Sequence, residues 1–262
     1  MLENFHTHTA RCRHASGTEE EYICHAIEGG LQTLGFSDHT PILFPGSYYS
    51  TMRMYPEELP EYVATLLKLK EKYAAQIDIR VGLEAEYYPA LLDSYLQLLE
   101  TAEVEYLILG QHWCGNEEGE PHNGLPTDDE ALLARYCDQV TEAMGTGLYS
   151  YVAHPDMFRF TGEESIYRKY ITQFCQTAKE LIIPLELNFL GLREGRHYPR
   201  PFFWEIAGEV GCPVVFGCDA HQPEYVFHDA TEEKAREMVK KFNLNLLERV
   251  PIHSWKDNKV GK

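Results

Sequence analysis

Strand-like and helix-like runs alternate along this chain, and that alternation restricts the fold more than any other feature. Short apolar or β-branched runs cover residues 2–6, 33–37, 77–83, 106–110, 149–153, 183–188 and 214–217. Runs with helical periodicity follow at 18–30, 56–75, 90–101, 128–146, 165–181, 201–210 and 231–242. Strands separated by helices pair in parallel, because a helical crossover returns the chain to the same end of the sheet. An open doubly wound sheet and a closed barrel both satisfy the pattern, and periodicity does not choose between them. Local signals mark the helix ends. Thr18-Glu-Glu-Glu reads as a capping box of Thr18 with Glu21, Thr127-Asp-Asp-Glu repeats it, and Thr231-Glu-Glu-Lys keeps the capping threonine. Gly29, Gly30 and Gly211 stand where helices stop.

The 262 residues contain no low-complexity tract or Pro/Gly linker that would divide them. A single domain is expected over residues 1–262, with the tail from about 243 to 262 peripheral. No apolar run approaches the roughly 20 residues of a membrane helix. The segment Met1–His6 has neither the basic nor the apolar part of a signal peptide. Seven cysteines, an odd number without a CxxC pair, read as buried reduced thiols of a cytoplasmic protein. The formal charge of −18 opposes a phosphate polymer, so long nucleic acid is not an expected partner. It leaves room for a small phosphorylated metabolite in one positive pocket.

Ligand-type residues recur where the strands end. His6 and His8 form an HxH after the first strand, and His39 follows the second. Glu84 and Glu86 follow the third, His112 the fourth, His154 the fifth, and Asp219 with His221 the seventh. Each alone is more often a satisfied polar residue than a ligand. In a parallel sheet, however, all these ends face one way, and sites assemble there. Imidazole with carboxylate suits Zn, Fe or Mn, and the donors exceed what one ion takes. Two or three clustered ions with a bridging carboxylate would use them.

The order and spacing of Phe5-His-Thr-His-Thr, Cys12-Arg-His, Ser37-Asp-His, Gly82-Leu-Glu, Gly110-Gln-His, Ala153-His-Pro-Asp and Gly217-Cys-Asp-Ala-His resemble the PHP family (polymerase and histidinol phosphatase domains). The resemblance covers nearly the whole chain. It implies an α/β fold, a distorted (β/α)7 TIM-like barrel, with three divalent metal ions (Zn, Fe or Mn). One ion would take His6, His8, Glu84 and Asp219. A second would take Glu84 as bridge with His112 and His154, and a third His14, His39 and His221. Only the resemblance nominates His14, and it places the ligand at Glu84 rather than Glu86. The run Gln111-His-Trp-Cys departs from what other members often carry there.

The length and Asn188-Phe-Leu-Gly-Leu-Arg are similar to the family's stand-alone histidinol-phosphate phosphatases. That implies hydrolysis of L-histidinol phosphate, a step of histidine biosynthesis, by a hydroxide bridging the Glu84-linked ions. Two alternatives stay open: a phosphoesterase for phosphotyrosine, a nucleotide or another small ester, and a non-catalytic metal-binding module. Arg159, Arg193 and Arg196 are candidates for phosphate binding, because the guanidinium fork matches phosphate oxygens. His197 is a candidate for phosphate binding or for proton donation, and Glu84, Asp219, Arg159 and His197 for catalysis. Asp38 and Asp156 are expected to orient ligand imidazoles. Tyr48, Tyr49, Phe158, Phe160 and Phe189 are available to enclose the organic part of a substrate, with plain packing as the other reading. Residues 39–55 are long enough for a lid, and Asp156 or Glu194 can meet an amine. The oligomeric state is not legible.

Overall fold

The structure, a computed structural model, describes residues 1–257. Its elements run β1 (Glu3–Asn4), α1 (Glu19–Glu28), β2 (Thr33–His39), α2 (Leu59–Tyr73), β3 (Asp78–Ala85), α3 (Leu92–Glu100), β4 (Tyr106–Leu109) and α4 (Glu130–Gly145). They continue with α5 (Glu164–Glu180), β5 (Leu185–Asn188), α6 (Phe189–Glu194), α7 (Pro201–Val210), β6 (Pro213–Gly217), α8 (Asp229–Lys241) and β7 (Asn245–Leu246). All pairings within the two sheets, β1-β2-β3-β4 and β5-β6-β7, are parallel.

Residues 150–153 join the two sheets. Val152 bridges Leu109 on one side and Leu185 on the other. The Ala153 N–H donates to Leu109 O at 2.8 Å, and the Glu186 N–H donates to Val152 O at 2.9 Å. The expected strand at 149–153 is therefore present as a ladder position without forming a regular strand. On the far side Thr7 bridges Ala220, where the His8 N–H donates to Ala220 O at 2.9 Å. The Asn4 carboxamide oxygen accepts from the Cys218 N–H at 3.1 Å at the same seam. These contacts curl the sheets into the expected distorted seven-membered (β/α) barrel, with helices outside.

Alternation sorts the strand residues between two cores. Outward residues such as Leu107, Leu109, Val214 and Phe216 pack under the helices. Inward residues Phe5, Tyr106, Ile108, Tyr151, Ala153 and Val215 fill the barrel. Tyr106 fits because its neighbours lack side chains. A Cβ on Gly35 would stand 2.2 Å from the Tyr106 hydroxyl, and one on Gly82 would stand 2.3 Å from its ring.

Several local expectations are corrected. Thr18 and Glu21 do form the capping box of α1. Helix α4, however, is capped by Asp129, which accepts from Ala131 and Leu132, and not by Thr127. Helix α8 starts at Asp229, so Thr231 lies inside it, bonded to His228. Residues 245–255 of the expected tail pack against the barrel. β7 pairs with β6, the Val250 N–H donates to Glu3 at 3.0 Å, and Leu247, Val250 and Ile252 pack against the barrel interior. Trp255 is fully buried, and its indole N–H donates to Val104 O at 3.0 Å. Residues 258–262 of that expected tail lie outside the described residues. Among the described residues no helix is long and apolar enough to cross a membrane. All seven cysteines are free, and six are buried.

Candidate metal centre

The C-terminal ends of the strands bring the expected ligands to one place. His6 and His8 leave β1 on the same side, as the two-residue period requires. His39 is the last residue of β2, and Glu84 lies one residue before the end of β3. His112, His154, Asp219 and His221 lie on the loops that follow. His154 and Asp219 hold positive φ angles of 29° and 48°, uncommon for residues with a Cβ and typical of strain kept at functional sites.

Glu84 is the hub. Its Oε1 lies 2.7 Å from His154 Nε2, 3.5 Å from His6 Nε2 and 3.7 Å from His112 Nε2. Its Oε2 lies 3.0 Å from His39 Nδ1 and 3.5 Å from His8 Nε2. Asp219 Oδ1 is 3.3 Å from both His8 Nε2 and His221 Nδ1, and 3.6 Å from His6 Nε2. The His8 and His221 rings stack at 4.1 Å, and His14 joins His221 at 4.7 Å. All nine residues nominated as ligands thus meet in one cluster.

A cation fits this donor set. His6 Nε2, His8 Nε2, Glu84 Oε2 and His221 Nε2 are buried without a hydrogen-bond partner. His39 Nδ1 and Glu84 Oε2 approach to 3.0 Å, yet neither makes an aligned hydrogen bond. Buried polar atoms are rarely left so, and a bound ion is one of the few explanations. Donor atoms of His6, His8 and Asp219, of His6, Glu84 and His154, and of His14, His39 and His221 lie within 4.8 Å of one another. The proton equilibria tell the same story. Burial opposes charge on His6, but Glu186, Asp219 and Glu84 raise its pKa well above the imidazole range. Burial likewise opposes charge on His8, which Asp219 and Asp38 raise. Burial pushes His39 down to about 3, leaving it neutral with a lone pair to offer.

Carboxylates behind the cluster aim the rings. Glu186, on β5, accepts from His6 Nδ1 at 2.8 Å, from the His154 N–H at 2.9 Å and from Asn188 Nδ2 at 3.1 Å. Sequence reasoning missed it; the available signal was one acid in the otherwise apolar Leu185–Leu187. Gly217 leaves space for it, since a Cβ there would stand 1.5 Å from Glu186 Oε1. Glu86 lies 3.0 Å from His112 Nδ1 and is an aiming residue. Asp38 faces His8 Nδ1 at 3.6 Å and holds Thr9. Asp156 does not orient an imidazole. It accepts from Trp204 Nε1 at 3.0 Å and from the Arg200 N–H, because its turn points it under α7.

A cleft of about 430 Å³ opens on the cluster, its wall beyond the ligands including Met52, His122, Met157, Leu190, Arg196 and Tyr198. Arg196 is held by Glu194 at 2.7 Å and donates to the Tyr198 hydroxyl at 3.0 Å. Glu194 lines the same cleft, but that salt bridge occupies its carboxylate. The other nominated groups stand elsewhere. Arg193 stacks on Tyr225, 3.7 Å from the ring centre. Arg159 is exposed and absent from the cleft lining. His197 gives Nε2 to Met157 O at 2.7 Å, and burial lowers its pKa. None of the five aromatics lines the cleft. Phe158, Phe160 and Phe189 are buried in the outer core, Tyr48 bonds Glu117, and Tyr49 stacks on Tyr55. Residues 39–55 supply Met52 to the wall and are pinned by the buried Arg53. His122 was not foreseen. Its Nδ1 accepts from the Gly124 N–H at 2.9 Å, which leaves the proton on Nε2.

The comparisons agree with this architecture. Residues 4–189 match the family model described as PHP domain. The "Probable histidinol-phosphatase" of Deinococcus radiodurans is 32% identical over 237 residues, 87% of this chain and 90% of that protein. The histidinol-phosphatase of Bacillus subtilis is 26% identical over 251 residues, 83% of this chain and 92% of that one. In fold, the chain is similar to histidinol phosphate phosphatase from Lactococcus lactis complexed with Zn, L-histidinol and phosphate. That match has a TM-score of 0.71 at 20% identity and covers 100% of this chain and 99% of the other. From its strand-end ligands to its closed parallel barrel, the chain belongs to the PHP domain family.

Proposed function

We propose that this chain is a divalent-metal-dependent phosphomonoesterase that hydrolyses L-histidinol phosphate to L-histidinol and phosphate. The observation that carries the reading is the cluster around Glu84 with its partnerless buried donors, opening on a cleft of metabolite size. The relatives named histidinol-phosphatase support the choice of substrate. His6, His8, Glu84 and Asp219 would hold one ion, Glu84 with His112 and His154 a second, and His14, His39 and His221 a third. When bound, such ions supply Lewis-acid chemistry, lowering the pKa of water toward about 7 and neutralising phosphoryl oxygens.

The chain's own groups do the rest. Glu186 and Glu86 keep the Nδ1 protons of His6 and His112 occupied, so each ring turns Nε2 to the centre. Arg196, held by Glu194 and Tyr198, presents a fixed cation at the cleft wall for phosphate oxygens. His122 Nε2–H is a further donor on the same wall. Met52, Met157 and Leu190 exclude water from the organic part.

Phosphate release is measured across L-histidinol phosphate, phosphotyrosine, a sugar phosphate and a mononucleotide, with zinc or manganese added. L-histidinol phosphate is expected to give the highest kcat/KM, with activity lost in chelator and in Glu84→Gln. Equal slow turnover of all four substrates overturns the substrate assignment. Full activity of Glu84→Gln overturns the role of the hub.

A further inference from the structure

Arg53 lies in the loop between β2 and α2 and is fully buried, the least expected place for a loop arginine. Its Nη1 donates to Thr40 O at 3.0 Å and to Glu86 Oε2 at 2.9 Å. Its Nη2 donates to Glu86 Oε1 at 3.1 Å and to Glu117 Oε2 at 2.5 Å. Four bonds from one fork therefore join three segments. Thr40 follows His39, Glu86 follows β3, and Glu117 belongs to the loop that carries His112. Glu117 also accepts from the hydroxyls of Tyr48 at 3.0 Å and Tyr88 at 3.2 Å, and it holds a φ of +73°. Residue 52, next to the arginine, forms part of the cleft wall.

The charge count gives the arrangement its direction. One guanidinium faces two carboxylates, so the buried group carries one surplus negative charge. Its outlet is Glu86 Oε1, which accepts from His112 Nδ1 at 3.0 Å. On the other side of that ring, His112 Nε2 looks toward Glu84 at 3.7 Å. A carboxylate behind an imidazole fixes its tautomer and strengthens its free nitrogen as a ligand. Glu86 can do this only while it is held in place, because a buried carboxylate without its partner would turn away toward water.

We propose that Arg53 is a positioning residue that sets the aim of His112 through Glu86 and fixes the cleft wall at Met52 in the same act. The proposal rests on the metal-centre reading above. It predicts that ion capture by the His112 side of the cluster depends on an arginine that reaches His112 only through Glu86.

Arg53→Lys and Glu86→Gln are made in the full chain. Zinc binding is measured by competition with a chromophoric chelator, and fold by circular dichroism and thermal unfolding. Lysine keeps the charge but cannot bridge two carboxylates as a fork does. In both variants one zinc equivalent is expected to weaken about 10- to 100-fold while the others hold. The double variant is expected to weaken it no further, since both changes act on one link. Should Arg53→Lys fail to fold, Arg53→Gln takes its place in the same measurement, and Glu86→Gln reports only on the carboxylate behind His112. Unchanged zinc affinity in a folded variant, whatever its melting temperature, overturns the positioning role. A wild-type chain that takes up no zinc, iron or manganese overturns instead the metal-centre reading.

Discussion

Glu186→Gln isolates the aiming of a ligand from its supply. The wild-type carboxylate accepts from His6 Nδ1 through Oε1, and from the His154 N–H and Asn188 Nδ2 through Oε2. A glutamine has the same shape but one oxygen. If the oxygen faces His6, the amide nitrogen meets two donors; if it faces His154, the amide nitrogen meets His6. Either way a buried donor loses its acceptor, at a cost of about 1–3 kcal/mol in stability. The ring of His6 also loses its negative backing, which lowers metal affinity by about 10- to 100-fold, or about 1.4–2.7 kcal/mol. Chelator competition measures the affinity, and urea unfolding of the metal-free chain measures the stability. A folded variant with zinc affinity within about twofold of wild type would refute the reasoning, because both orientations of the glutamine remove the negative charge behind His6.

Gly217→Ala tests the same carboxylate from behind. The new Cβ would stand 1.5 Å from Glu186 Oε1, so the side chain must move and zinc affinity should fall at least as far as in Glu186→Gln. Retained affinity would show that the glycine is not needed there. Trp255→Ala should lower stability by about 3–5 kcal/mol, seen as a lower urea midpoint, while zinc stoichiometry stays unchanged. An unchanged midpoint would remove the tail from the fold's support. Burial pushes the Asp156 carboxyl up to about 7. The folded state therefore holds its proton where the unfolded state has released it, and stability declines as pH rises from about 4 to about 7. The gain of Asp156→Asn over wild type should grow across that window, and a constant difference would exclude the raised pKa.

The strand-end ligands were legible because two rules coincide there. A period of two puts His6 and His8 on one side, and parallel pairing puts every strand end on one face. The residues that support them were not legible. Glu186 sits inside a strand whose composition reads as plain core, and Arg53 sits in a loop, where arginine is normally solvated. Both are seen only when a distant partner closes on them. The same limit explains the arginines. Arg193 and Arg196 are three residues apart, yet one stacks on Tyr225 and the other lines the cleft, a difference set by the turn between them. The aromatics of residues 158–189 read equally well as packing or as substrate contacts, and burial decided for packing. Segment 245–256 has no strong periodicity, so its place under the barrel depends on contacts with Glu3 and Val104.

The seam between Thr7 and Ala220 has a consequence in time. A chain synthesised from its N-terminus releases His6 and His8 early, but Asp219 and His221 follow more than two hundred residues later. At about 5–20 residues per second the first pair waits roughly 10–40 s for the second. Until they arrive, seven of the nine nominated donors have emerged, but the sets that would hold the first and third ions each lack a member. Only when β6 reaches β1, and β7 with the segment behind it covers the barrel floor, do all the donors converge. Metal uptake then reports a finished barrel, and a chain damaged near its C-terminal end is expected to show the fault first at the histidines near its beginning.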